Sequence, residues 1–102
     1  MSKLILTRAA KYDVIEIFEW YELQTKSTGE RFFQALDQKF ESICLNPEIY
    51  RTVSESGIRK SKLERCPYHV FFVLSGDIIE VLAIIHTSRD PAYISSRTAI
   101  HP

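Results

Sequence analysis

CPYHVFFVLSGDIIEVLAIIHTSRDP, residues 66–91, is the stretch from which the fold follows. Residues 68–74 and 78–86 are dense in Val, Ile, Leu and Phe, and Ser75-Gly76-Asp77 lies between them with turn chemistry. Two apolar runs joined by so short a polar break read as a β-hairpin. The second run reaches His86, Arg89 and Asp90 just as its apolar residues stop. A rigid hairpin that delivers polar groups to one strand end is a scaffold for a binding or catalytic surface.

Strands this apolar need a cover, and the sequence before them offers a helical hairpin as the only one. Residues 3–6 form a short β-prone run, and Thr7 is placed to cap a helix over residues 8–24. Ala10, Val14, Ile17, Phe18 and Tyr21 recur at helical spacing, while Asp13, Glu16, Glu19 and Glu22 keep a polar side. After the polar break at residues 24–28, Ser27 and Glu30 have the spacing of a capping box. A second helix carries Phe33, Leu36, Phe40, Ile43 and Cys44 on one stripe and stops at Asn46-Pro47. Residues 58–64 then alternate weakly as a further strand, and residues 92–102 form a short helix anchored by Tyr93 and Ile94. The expected architecture is α+β, in the order β-α-α-β-β-β, with an antiparallel sheet covered by the N-terminal helical hairpin.

A chain of 102 residues is a single domain, residues 1–102, with one core. Its expected stability is about 5–10 kcal/mol. The N-terminus has only three consecutive apolar residues, Leu4-Ile5-Leu6, far short of a signal-peptide core or a membrane span. Two cysteines make no disulfide framework, so a reducing cytoplasm is the expected setting. Net charge is zero, which argues against a generally basic nucleic-acid binder. The charge is uneven, however, at −2 over residues 1–50 and +2 over residues 51–102. Arg51, Arg59, Lys60, Lys62 and Arg65 supply most of the excess. This run reads either as a solvated strand face or as a local phosphate-facing patch.

The three glycines are isolated and none begins a phosphate-binding loop. Cys66-x-x-His69 has metal-ligand spacing, but a closed zinc site takes four ligands and Cys44 belongs to an apolar stripe. Neither a metal nor a cofactor is expected. The richer constellation joins Arg59, Lys60, Lys62 and Arg65 with His69, His86, Arg89 and Tyr93. Metal-free cleavage of RNA needs a base for the 2′-hydroxyl, an acid for the leaving oxygen and a cation for the phosphorane. His, Arg and Tyr are residues able to fill those roles. The alternative is that His86 and Arg89 cap the strand end and pair with Asp90 or the C-terminal segment.

A string of spaced features runs through nearly the whole chain. It comprises Ala9-x-x-x-Asp13-Val14-x-x-Ile17 with Tyr21, Gly29-x-x-Phe32, Asn46-Pro47-x-x-Tyr50 and Arg59. It continues with Pro67-Tyr68-x-Val70-x-Phe72, Ile84-x-His86 and Arg89-Asp90-Pro91. In this the chain resembles the RelE/ParE family of type II toxin–antitoxin toxins, and looks closer to the ParE branch. The resemblance implies a plasmid-stabilisation toxin of bacterial cytoplasm, held silent by a cognate antitoxin that also contacts operator DNA. RelE-like members cut messenger RNA on the ribosome, using Arg or Lys on the central strands and a His, Arg or Tyr near the C-terminus. Here that strand position is His69, His86 and Tyr93 match the C-terminal residues, and Arg59, Lys60 and Lys62 match the cations. ParE-like members lack a complete nuclease set and poison DNA gyrase. The Pro67-Tyr68-His69-Val70 run and the His86-x-x-Arg89-Asp90-Pro91 end look more like that branch. In that reading Arg59, Lys60, Lys62, Arg65, His86 and Arg89 are target-binding residues. Two features depart from the pattern: Ile94 stands where an aromatic is common, and the charge is less basic than usual. An inert, antitoxin-binding member is the third reading.

Overall fold

The computed structural model describes residues 3–99. The chain runs β1 (Lys3–Leu6), α1 (Arg8–Gln24), α2 (Thr28–Leu45), a 3-10 turn (Pro47–Ile49), β2 (Arg59–Lys62), β3 (Tyr68–Ser75), β4 (Ile78–His86) and α3 (Pro91–Thr98). The α+β class and the element order agree with the sequence. α1 begins where Thr7 places it: the Thr7 hydroxyl accepts the Ala10 N–H at 3.1 Å and donates to the Leu82 carbonyl at 3.3 Å. Thr7→Ala is therefore expected to lose about 1 kcal/mol, read as a lower urea midpoint with unchanged slope.

The entry to α2 is built differently from the expected capping box. Ser27 takes a left-handed φ of 76° and makes no side-chain cap. A capping hydroxyl needs an extended backbone at that position, so Ser27 cannot reach. Glu22 of α1 instead accepts the Gly29 N–H at 2.8 Å, and the Thr28 hydroxyl donates to the carbonyls of Tyr21 and Thr25. Gly29 lets the helices close, because a Cβ there would stand 2.5 Å from the Phe18 ring. The stripe of α2 is also rotated from expectation. Phe32 is fully buried, while Phe33 is 39% exposed and stacks on Phe18 at 4.5 Å.

Sheet order is β1-β4-β3-β2. β2, β3 and β4 form the expected antiparallel meander, and β1 adds to β4 in parallel, so the sheet is mixed. The whole helical hairpin and two strands separate β1 from β4, a crossover long enough for parallel entry. Gly76, at φ 61°, opens the two-residue turn between β3 and β4. Within this hairpin Phe71 faces Ala83 but Phe72 faces Val81, leaving Leu82 as an extra residue in β4. Such a bulge flips the alternation of the strand beyond it. Accordingly Ile79, Val81 and then Ile84 pack under the helical hairpin with Val70 and Phe72.

The opposite face has its own cover, contrary to the expectation that the helical hairpin is the sole one. Phe71, Ala83 and Ile85 are buried there with Ile58, and Tyr93 and Ile94 of α3 pack against them. α3 thus closes the outer face at the end of β4, beside the polar residues that end the strand.

Candidate functional site

The bulge at Leu82 decides which polar side chains meet. Continued from Ser75 opposite Ile78 without interruption, the ladder would set His69 opposite Ile84, placing His69 and His86 on one face. The observed ladder pairs Tyr68 with His86 and His69 with Ile85. Directly opposed residues share a face, and neighbours along a strand alternate. His86 and His69 therefore lie on opposite faces of the sheet.

On the helical-hairpin face, the His86 ring sits edge-on to Tyr68 at 5.1 Å, and Tyr68 packs against Tyr21 and Phe32. His86 Nδ1 accepts the Ser88 backbone N–H at 3.0 Å and lies 2.8 Å from the Ser88 hydroxyl. A backbone N–H can only donate, so the neutral ring carries its proton on Nε2. His86 Nε2 thus remains as a donor, and Nδ1, the nitrogen that would serve as base, is already engaged. Tyr21, desolvated and close to Cys66 and Tyr68, has its pKa pushed up to about 12 and is no base either.

His69 lies on the outer face beside Phe71, across from Lys62, with Lys60 two residues along β2. Burial first, then the Lys60 and Lys62 charges, hold its pKa below the ordinary 6.5. The folded state then binds fewer protons than the unfolded one as pH falls through that range. Stability is expected to be full above about pH 6.5 and to decline as pH falls toward the lowered folded value. His69→Gln should flatten this part of the melting-temperature profile between about pH 7.5 and 5.5. An unchanged slope in that variant would contradict the assignment.

The basic run divides as well. Arg59 pairs across to Phe72 and donates to the carbonyls of Glu48 at 3.1 Å and Tyr50 at 2.6 Å, fastening the segment after α2. Lys62 folds back to the Leu63 and Cys66 carbonyls at 3.2 and 3.3 Å. Arg65 stands exposed in a left-handed turn, bordering a groove of about 830 Å³ whose α2 wall includes Arg31, Gln34 and Gln38. Cys66 is buried in the core under the helical hairpin, away from the face that carries His69, so that pair shares no site.

What the structure does bring together is a polar edge at the end of β4. Leu6 pairs with Val81, and β1 goes no further, leaving the next stretch of β4 beyond its reach. Asp13 of α1 reaches that stretch and accepts the Ile84 N–H at 3.0 Å. The same carboxylate oxygen accepts from Arg97 of α3 at 2.6 Å. Arg97 also donates to the Tyr93 hydroxyl at 2.8 Å, and these two acceptors raise its pKa, led by the Asp13 hydrogen bond. The Arg89 guanidinium lies 3.5 Å over the Tyr93 ring centre. Asp90 accepts the Tyr93 N–H at 2.7 Å and Pro91 takes the first helical turn, so α3 starts immediately after the strand end. A cleft of about 190 Å³ opens here among Asp13, Glu16, Tyr68, Ile84, Arg89 and Tyr93. Asp13 and Arg97 were absent from the sequence-derived set. The spacing of Tyr93 and Arg97 on one face of α3 was the available signal.

Residues 4–91 match the family model described as ParE toxin of type II toxin-antitoxin system, parDE. No curated protein matches the chain. Among solved structures, the chain is similar to one described as the chromosomal ParDE TA system from P. aeruginosa. That likeness has a TM-score of 0.74 at 25% identity, covering 84% of this chain and 96% of the other.

Proposed function

The chain belongs to the ParE toxin family, and from that premise we propose that it is a toxin that inhibits DNA gyrase by binding, without chemistry of its own. The observation that carries this reading is the division of the titratable residues. His86, Arg89 and Tyr93 stand at the β4 edge, while His69, Lys60 and Lys62 occupy the outer face. A metal-free nuclease needs its base, acid and cation around one phosphate, within hydrogen-bond reach. His86 presents a donor and Arg89 a stacked cation, groups suited to holding an acidic surface.

The toxin is kept silent by a cognate antitoxin, and only that partner touches operator DNA. Tyr12, Ile15, Trp20 and Leu23 remain exposed along α1, apolar surface that a segment folding on binding would cover. Among the described residues no helix is long and apolar enough to cross a membrane, and the pair is assigned to the cytoplasm, where gyrase works. Plasmid stabilisation is the role proposed for it.

The test is gyrase supercoiling of relaxed plasmid with purified toxin. Micromolar toxin is expected to stop supercoiling, and pre-mixing with antitoxin to restore it. Undiminished supercoiling at that concentration would overturn the reading. A ribosome-dependent endoribonuclease is the second reading, favoured by one arrangement: His69 shares its face with Lys60 and Lys62. It requires that His69→Ala lower messenger cleavage in a translating extract by about 10²–10⁴-fold.

A further inference from the structure

Arg89 lies in the short connection between β4 and α3, where an exposed side chain would ordinarily sample many rotamers. Here both its ends are constrained. Its backbone N–H donates to the His86 carbonyl at 3.1 Å, and its guanidinium rests on the Tyr93 ring. That ring is tethered in turn, through its hydroxyl to Arg97, and from Arg97 to the Asp13 carboxylate. Asp13 is itself fixed by the Ile84 N–H on the rigid β4 backbone. The relay thus starts on the central sheet and ends at an exposed cation.

We propose that Asp13 and Arg97 are positioning residues that hold Arg89 ready for an anionic group on the target protein. The inference rests on the reading of this edge as the target-facing surface. Stacking uses the flat face of the guanidinium and leaves its N–H edge free for a carboxylate. Glu16 lines the same cleft and opposes a small free anion within it. An acidic side chain approaching from outside on a protein surface suits the geometry better.

The experiment compares Arg89→Ala, Arg97→Gln and the double variant in gyrase supercoiling, with NMR of the Arg89 side-chain protons. Arg97→Gln is expected to weaken inhibition about five- to tenfold, the range of one well-placed cation contact. The double variant should be no weaker than Arg89→Ala alone. The upfield ring-current displacement of the Arg89 protons should shrink in Arg97→Gln. Tyr93→Phe, which keeps the ring and removes only the hydroxyl, should show a smaller version of the same change and guards against a folding defect at Arg97. An unaltered Arg89 spectrum in both variants, or losses from Arg97→Gln and Arg89→Ala that multiply in full, would overturn the relay while leaving the gyrase reading intact. Inhibition unaffected by Arg89→Ala would instead remove this edge from the target contact, and the proposed purpose of the relay with it.

Discussion

Phe32→Ala is expected to remove about 3–5 kcal/mol of stability, the range for deleting a fully buried aromatic ring. Phe32 is fully buried, with ring centres of Tyr21, Phe33 and Tyr68 at 5.9, 6.0 and 6.1 Å. It is where α1, α2 and β3 meet. Deleting the ring forfeits its transfer free energy and opens a cavity among side chains fixed by other contacts. Against a total of about 5–10 kcal/mol, such a loss leaves a substantial unfolded population on mild warming. Phe33→Ala is the control. That ring is 39% exposed and stacked on Phe18, so its loss should cost about 1 kcal/mol. Urea unfolding of both variants checks the pair, and equal losses would contradict the assignment of Phe32 to the core.

Asp13→Ala is expected to cost about 2–3 kcal/mol, an unusual amount for a carboxylate on the polar side of a helix. One oxygen serves both the Ile84 N–H and Arg97, which lie 71 and 84 residues away in sequence. The pair is mostly screened from water, with side-chain exposures of 13% for Asp13 and 21% for Arg97. Its removal strands a backbone donor on β4 and a guanidinium on α3, each without its acceptor. Asp13→Asn keeps an acceptor and loses the charge, so about 1 kcal/mol is expected. Amide exchange at Ile84 should accelerate in Asp13→Ala and much less in Asp13→Asn. Protection at Ile84 that survives Asp13→Ala would show that the carboxylate does not hold this edge.

Much of the fold was legible because local chemistry and global packing agree in it. Thr7 caps α1, the 3.6-residue rhythm of Ala10, Val14 and Ile17 carries it to Gln24, and Gly76 turns the hairpin between β3 and β4. β1 was legible as a strand but not in direction, because a four-residue run holds no information about its partner. The rotation of α2 from Phe33 to Phe32 was hidden by two adjacent phenylalanines, either of which completes an apolar stripe.

The site was less legible, for a reason that lies in one residue. After Glu80, Val81-Leu82-Ala83-Ile84-Ile85 is apolar at every position, so this part of the strand accepts either alternation without burying a charge. Nothing in that string marks Leu82 as the extra residue. Yet the bulge there separates His86 from His69, and with them the two halves of the proposed constellation. Arg59 illustrates a second limit. Its charge reads as phosphate-facing, whereas its guanidinium serves carbonyls of a segment that the sequence alone does not place beside it. The resemblance to the RelE/ParE toxins reached the family correctly, because motif order survives where single residues change partners.

Whether this toxin arrests gyrase or cuts messenger RNA is decided in cells. The protein is induced without antitoxin, and thymidine and methionine incorporation are followed side by side over the first minutes. Thymidine incorporation should fall first while methionine incorporation continues. An early collapse of methionine incorporation with DNA synthesis still running would contradict the gyrase reading and make His69, Lys60 and Lys62 the residues to examine.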